Sequence, residues 1–412
     1  MSKDLNLKAK LSTELQFLVN CCKSDPSEND IKEILSYLDT KDLDINILIG
    51  LATQHGILPL VYKTIKNLSE NDNLNAQRLT LNAEILTELK AHYMSISQRN
   101  MLMSAELIRI MKLLKGNDIE ALAFKGPTLS QMAYGDITLR QYSDLDILVD
   151  ESQLYQAAKL LVSQNYEPMD SIEFLKNKAK LHVEKNYEFY GRKNGIKVEI
   201  HWRLINSSFL KKFKNYDVFD TPQNVKINQT VIPTLDTKIL LLYLCNHGAS
   251  HMWERLEWIV DIDRLIQSEE SALNWDEILK LASTLQSKTS FLLGLGLAKE
   301  LFHTPLPSEI QSKLDSVHIR KLVAFILTTL NSDLISQDHT SHEKNLKVFQ
   351  FHLSLQDSLS SKIHFIFQTL FTYSSGDVMM VNLPRPLFFL YYPLRILRII
   401  NKYTFKPLKN LF

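Results

Sequence analysis

The chain contains little cysteine. Its 412 residues include only Cys21, Cys22 and Cys245, and no two cysteines are separated by two residues. Adjacent cysteines rarely satisfy disulfide geometry, so the sequence favours neither a disulfide framework nor a zinc ribbon. Reduced thiols are typical of cytoplasmic proteins, and we therefore predict a cytoplasmic location.

An excess of one charge and long apolar runs are also missing. Lys and Arg total 47 against 46 Asp and Glu, so the formal net charge is +1. Proteins that grip long nucleic acids usually carry a basic excess, and the overall balance gives no support for that class. Charged residues interrupt the apolar stretches of residues 1–25, and no run reaches the roughly 18 apolar residues of a membrane span. We expect neither a secretory leader nor a transmembrane helix.

Glycine is scarce, with 11 in the chain, and the pattern is mostly helical. Residues 5–115 carry apolar side chains at helical spacing, and residues 77–115 predict one long helix or two stacked helices. Helical spacing returns after residue 233. We therefore predict an α+β, mostly helical protein: an N-terminal helical region (1–115), a core with a small mixed β-sheet (116–232) and a C-terminal helical domain (233–412).

The expected core alternates short strands and helices. Residues 119–124 and 144–149 read as strands, and an Asn-Gly turn predicts a hairpin between 187–190 and 196–202. The remaining expected elements are helices at 128–134 and 151–164 and a further strand within 224–233.

Two carboxylates open the strand at 144–149. Side chains at positions i and i+2 of a strand point to one face, so Asp144 and Asp146 project together. Two such carboxylates repel each other unless a cation lies between them. Mg²⁺ prefers carboxylates together with water and phosphate oxygens. Most D-x-D pairs are surface or capping residues, but this pair suits metal-assisted phosphoryl or nucleotidyl transfer.

A second strand carries another carboxylate. Around it, Glu199, His201 and Arg203 share one face, while apolar residues form the other. Glu199 can complete a metal site or accept a proton from an attacking hydroxyl. The alternative for Glu199 is a solvent-facing position on a half-buried sheet.

At this point the residues resemble a known family. They are similar to the uncharacterised nucleotidyltransferase family of bacteria, a branch of the DNA-polymerase-beta-like nucleotidyltransferase superfamily, over residues 95–270. The similar stretches are FKG at 124–126, SDLDILV at 143–149, VEIHW at 198–202, HMW at 251–253 and WIVD at 258–261. The resemblance implies that Asp144 and Asp146 are metal ligands, that Glu199 is the third carboxylate, and that Gly126 begins the nucleotide-binding helix.

The phosphate-binding element departs from the superfamily. Gly126 is followed by Pro127, where Gly-Ser or Gly-Gly is usual, which makes Thr128 the candidate for the missing hydroxyl. Lys125 lies beside a helix N-terminus, where anions are favoured, although a plain surface lysine is an equal alternative. Arg140 either binds phosphate through two hydrogen bonds or pairs with a neighbouring Asp.

Two histidines and the C-terminal end are further candidates. His247 and His251 lie four apart in a helix, but Gly248 stands where a zinc protease needs Glu, so these residues either contact substrate or support the structure. His201 is a third possible substrate contact. Residues 383–412 contain six Lys and Arg, no Asp or Glu, and many aromatic residues. This segment is a membrane-surface candidate, an RNA-contacting candidate, or a terminal helix packed on the body.

Two functions follow. The first is a metal-dependent nucleotidyltransferase that uses Mg²⁺ or Mn²⁺, takes an NTP as substrate, moves a nucleoside monophosphate to an unidentified acceptor and releases pyrophosphate. The balanced charge favours a small molecule, peptide or protein acceptor over long nucleic acid. The second is a catalytically inactive binding or regulatory module, suggested by the altered Gly126-Pro127 element.

Overall fold

The N-terminal region is helical. A computed structural model describes residues 11–39, 44–70, 79–204, 218–270, 273–330, 342–381, 383 and 385–400. Its first helices are α1 (Thr13–Cys22), α2 (Glu28–Leu38), α3 (Ile45–Gln54), α4 (Leu58–Ser69) and α5 (Leu79–Lys115). Capping residues fix several starts; Ser27 and Asp30, for example, form a reciprocal capping box on α2. The 77–115 pattern is one helix of 37 residues, the first of the two alternatives.

The central core contains a five-stranded mixed sheet. Its strands are β1 (Ala121–Phe124), β2 (Asp144–Val149), β3 (Tyr166–Pro168), β4 (Asn186–Gly191) and β5 (Lys197–His201). They are arranged in the order β1-β2-β5-β4-β3, with only the β2–β5 pair parallel. Parallel neighbours need a long crossover, and the chain between β2 and β5 supplies it.

Short helices connect the strands. They are α6 (Gly126–Tyr134), α7 (Leu154–Ser163), a 3₁₀-helix (Ile172–Lys176) and α8 (Lys178–Val183). Leu145, Ile147 and Val149 of β2 are buried, as the alternation predicts, but Leu148 and Asp146 are buried too. Elements therefore cover both faces of this strand, and Asp146 is withdrawn from solvent.

A second, two-stranded sheet precedes the C-terminal helices. Its strands are β6 (Gln223–Ile227) and β7 (Thr230–Thr234), which pair in antiparallel register. The single strand expected within 224–233 is therefore a hairpin: Asn228, with φ of 52°, adopts the left-handed conformation that reverses the chain.

The C-terminal region is again helical. Its helices are α9 (Thr237–Ser250), α10 (Leu256–Ser268), α11 (Trp275–Thr284), α12 (Lys288–Phe302), α13 (Ser308–Leu314), α14 (Val317–Leu330), α15 (His342–Ser354), α16 (Leu359–Phe371), α17 (Ser375–Met380), a 3₁₀-helix (Arg385–Leu390) and α18 (Tyr391–Ile400). Helix α10 packs on α6 of the core and α9 packs on α12. One continuous apolar cluster runs from Leu11 to Leu355. The protein is thus α+β and mostly helical, with the mixed sheet between two helical regions; the exact region bounds stay a prediction.

The C-terminal segment packs on the body through its own small cluster. Tyr391 is fully buried beside Tyr373, and Asp377 pairs with Arg395 and Arg398. Lys402, Lys406 and Lys409 lie outside the described residues, so contact with a membrane or RNA stays a prediction. Within the described ranges, no helix combines the length and the hydropathy needed to cross a bilayer.

Candidate functional site

Four polar residues meet where β2 and β5 run side by side. In the parallel register, Asp144 lies opposite Lys197 and Asp146 lies opposite Glu199. Since alternate side chains of a strand share a face, these four residues and His201 lie on the same face of the β2–β5 pair. The pairing of β2 with β5 thus brings together residues that lie more than 50 positions apart in the sequence.

Asp146 is the centre of the cluster. Its Oδ1 atom lies 3.0 Å from His201 Nε2 and 3.2 Å from Lys125 Nζ, and its side chain is 1% exposed. His201 Nε2 also lies 3.3 Å from Glu199 Oε2. One ligand atom each from Asp146, Glu199 and His201 fall within 4.8 Å of one another.

Glu199 is held by three donors. Asn186 Nδ2 donates to its Oε2 at 2.5 Å, and Lys197 Nζ lies 2.6 Å from its Oε1. His201 supplies the third contact. Burial alone raises the pKa of Glu199, but the hydrogen bonds from His201 and Lys197 outweigh it and lower this pKa to about 2. Glu199 is therefore a persistent carboxylate at neutral pH.

The two aspartates differ in pKa. Burial and the neighbouring Asp146 raise the pKa of Asp144 to about 6. Burial also disfavours the ionised form of Asp146, but Lys125 and the His201 hydrogen bond override it and hold the pKa of Asp146 below its usual range. With a side chain 29% exposed, Asp144 is the carboxylate at the open side of the cluster.

Lys125 reaches Asp146 from a strained turn between β1 and α6. Its φ of 56° and ψ of −151° lie in a region that is essentially reserved for glycine, at a cost of about 1–3 kcal/mol. Its ammonium group also lies over the ring of Tyr243, 5.6 Å from the centroid. Lys125, with a side chain 15% exposed, is thus the partner of a buried carboxylate and not a plain surface lysine.

Gly126 and Thr128 build this turn. Gly126 has a φ of 41°, a backbone conformation that favours glycine, and it lies against β2, where a Cβ would stand 3.4 Å from the Asp144 carbonyl oxygen. The Thr128 hydroxyl donates to the Lys125 carbonyl at 2.8 Å, and the side chain has no exposed surface. The expectation that Thr128 offers a hydroxyl to phosphate is therefore corrected, because its hydroxyl is buried and bound to the backbone.

Arg140 occupies the second of its two expected roles. Its Nε and Nη2 atoms form a two-point contact with Asp261 on α10 at 2.8 and 2.9 Å, and Glu257 lies 3.0 Å away. Tyr134 donates to the same Asp261 carboxylate at 2.8 Å. Arg140 is 5% exposed, so this ion pair fastens the loop before β2 to α10 and does not face incoming phosphate.

His247 and His251 form a cluster of rings at the end of α9. Their centroids are 4.8 Å apart, and both rings pack against Trp258. His247 also stacks on Tyr243, which contacts Lys125. Burial, followed by Lys125, lowers the pKa of His247 well below its usual range. The pair therefore lies beside the carboxylate cluster as neutral imidazoles.

The donor set suits a divalent cation. Asp146 Oδ2 and His201 Nδ1 are buried without a hydrogen-bond partner among the described residues. A buried carboxylate oxygen without a donor is costly, and a cation between Asp146 and Glu199 removes that cost. Two carboxylate oxygens with one imidazole nitrogen fit Mn²⁺ readily, while Mg²⁺ prefers oxygen alone.

Several residues of this site were not expected from the sequence. Lys197 lies two positions before Glu199, and that spacing was sufficient to place it on the same face of β5. Asn186 faces His201 only because β4 pairs with β5, which no local pattern shows. Asp261 ends the WIVD stretch that resembles the family, but no pattern indicated its pairing with Arg140, and Glu257 stood out only as an acidic residue among the apolar residues of α10.

Comparison with known proteins gives the following matches. A family model described as "Uncharacterised nucleotidyltransferase" matches residues 41–303, a wider span than the resemblance over 95–270. A solved structure, the antigenic nucleotidyltransferase-like protein from Paracoccidioides brasiliensis, is 14% identical with a TM-score of 0.33 and covers 50% of this chain and 94% of its own. Among curated proteins, none matches.

Proposed function

The chain belongs to the family of uncharacterised nucleotidyltransferases, and from that membership we propose that it moves a nucleoside monophosphate from an NTP to an acceptor. The observation that carries the proposal is the convergence of Asp146, Glu199 and His201, together with Asp146 Oδ2, which is buried without a hydrogen-bond partner among the described residues. In the reaction, an acceptor oxygen bonds to the α-phosphorus, the bond to the β-phosphate oxygen breaks, and pyrophosphate and the acceptor's proton leave.

Asp146, Glu199 and His201 would hold a divalent cation, with Asp144 closing the open side. When bound, the cation neutralises charge on the phosphate oxygens and orients them for in-line displacement. The pKa of about 2 for Glu199 favours its role as a ligand over that of a proton acceptor.

Lys125 and the start of α6 would receive the phosphates. Lys125 is the cation next to Asp146, and a helix N-terminus adds backbone N–H groups that favour anions. Arg140 acts at a distance from the phosphates, because its ion pair with Asp261 holds the loop that leads into Asp144.

The test is transfer of label from each α-labelled NTP in the presence of Mg²⁺ or Mn²⁺, with a cell extract as the acceptor pool. Label moved by the wild type and not by Asp146→Asn supports the proposal. Label moved equally by both proteins removes the carboxylates from the mechanism.

A second candidate is an inactive binding module. It is favoured by the Gly126-Pro127 element, in which the Thr128 hydroxyl is buried on the backbone and offers phosphate no donor. A ligand that binds only the native state raises the melting temperature by mass action. Stabilisation by NTP with cation, without transfer of label, would identify this second function.

A further inference from the structure

A cavity of about 570 Å³ lies next to the carboxylate cluster. It is bounded by α9, α15, α16 and the segment before β4, and Tyr243 forms part of its wall while contacting Lys125. This volume is within the range of pockets that enclose a small molecule, about 300–1,000 Å³. The cavity is therefore sized for a small molecule beside the site of transfer.

The cavity wall carries cationic and neutral polar groups without acids. Among the described residues that line it, none is Asp or Glu; those that matter here are Lys185, His247, His352, His364 and Gln368. A cationic ligand such as an aminosugar would find no carboxylate to pair with. The lining favours a ligand that brings negative charge.

Lys185 is the most informative of these residues. It is half-buried, and among the described residues no carboxylate lies within ion-pair distance of its ammonium group. The other two lysines of the site do form ion pairs: Lys125 pairs with Asp146, and Lys197 contacts three carboxylates. Asp146 and Glu199 attract Lys185 from beyond ion-pair distance, but burial and Lys125 outweigh them and lower its pKa. An anionic ligand in the cavity would supply a direct partner for this cation.

The topology brings two cations to the carboxylates from different strands. In the strand order β1-β2-β5-β4-β3, Lys125 follows the end of β1 and Lys185 precedes the start of β4. The two lysines therefore adjoin β1 and β4, the strands on either side of the β2–β5 pair. With the NTP phosphates at the start of α6, the cavity on the β4 side is left for the second substrate.

We propose that this cavity binds the acceptor and that the acceptor is a small hydroxyl-bearing molecule with an anionic group, a phosphate or a carboxylate, which Lys185 receives. The role of the bound molecule as acceptor rests on the proposed function. The binding of an anion by the cavity is inferred independently, from Lys185 and the other lining residues. It excludes cationic aminoglycoside-like acceptors.

The experiment measures binding of probes that share one sugar and differ in charge: glucose 6-phosphate, glucuronate, glucose and glucosamine. Calorimetry on the full chain would compare the wild type with Lys185→Gln and with Lys178→Gln, the latter at an exposed lysine on α8 as the matched control. ATP binding is measured on the same proteins, and circular dichroism verifies the fold. His364→Gln, at an exposed lining residue, is the second cavity variant.

We expect one or both anionic sugars to bind the wild type and Lys178→Gln alike, and Lys185→Gln about tenfold or more weakly, as for loss of a charged hydrogen bond. The stronger anionic probe identifies phosphate or carboxylate. Equal loss of ATP and sugar binding in Lys185→Gln, tighter binding of glucosamine, or no binding of either anionic sugar would overturn the proposal. Anion binding that depends on Lys185 in a protein that transfers no label would preserve the anion site and reject the proposed transfer reaction.

Discussion

Asp146 and Glu199 lie opposite each other on the parallel strands β2 and β5, and His201 joins them through one imidazole nitrogen. This register brings together two carboxylates from distant parts of the chain. It also leaves Asp146 Oδ2 buried without a partner among the described residues, which is the feature that a divalent cation would satisfy.

Asp146→Asn should abolish transfer while the protein stays folded. The amide keeps the side-chain volume but removes the charge that a cation needs, so we expect a loss of about a thousandfold or more. The measurement is transfer of label, with Asp315→Asn, at an exposed aspartate, as the control. Retention of more than a tenth of the wild-type rate would contradict the assignment.

Cation affinity should weaken as the pH falls through about 6. The pKa of Asp144 is raised to about 6 by burial and by Asp146, so below this pH a proton must leave before the carboxylate can ligate. We expect Mn²⁺ affinity to fall about tenfold from pH 7 to pH 5. Titration followed by Mn²⁺ electron paramagnetic resonance measures it. Asp144→Asn should bind more weakly at pH 7 and lose this step; an unchanged step in that variant would assign it to another group.

Arg140→Met should destabilise the fold. It leaves Asp261 and Glu257 buried without their cation, and breaking a buried pair in this way costs about 3–5 kcal/mol of unfolding free energy. Urea unfolding measures the loss. Arg320→Ala, which breaks an exposed pair with Asp315, is the control and should cost less than about 1 kcal/mol. An Arg140→Met protein of wild-type stability that binds NTP more weakly would contradict this structural role and indicate that Arg140 binds phosphate.

Local pattern and non-local pairing explain how far the sequence could predict the site. The strand at 144–149 was predicted correctly because alternating side chains are a property of the strand itself. The meeting of Asp146 with Glu199 was not a local property: the strand pattern offered it as one of several roles for Glu199, and resemblance to a family implied it. His201 was expected to contact substrate, and its position between the two carboxylates depends on the β2–β5 register.

Arg140 shows the same limit. The sequence left two roles open, because its partner Asp261 lies on a helix 121 positions further along the chain. The two aspartates of α10 are both buried, Asp261 against Arg140 and Asp263 against Thr304. A buried ion pair between distant elements is set by tertiary packing, which helical spacing does not reveal.

Acid should weaken the fold through His55, which joins the N-terminal region to α10. His55 is 3% exposed, its Nδ1 accepts from the Leu256 backbone N–H at 3.4 Å, and burial followed by Arg255 lowers its pKa from 6.5 to about 4. Between these two values the unfolded chain binds a proton that the folded protein does not, so the free energy of unfolding falls as the pH drops from 6.5 to 4. The full loss of unfolding free energy from His55 is about 3 kcal/mol, and the stabilisation by His55 is fully present above pH 6.5.

His55→Asn keeps an acceptor near the Leu256 N–H without a titrating ring. The free energy of unfolding in urea should therefore differ less between pH 7.5 and pH 5 in this variant than in the wild type. His303→Asn, at an exposed histidine, is the control, and equal pH dependence in all three proteins would show that His55 does not carry the effect.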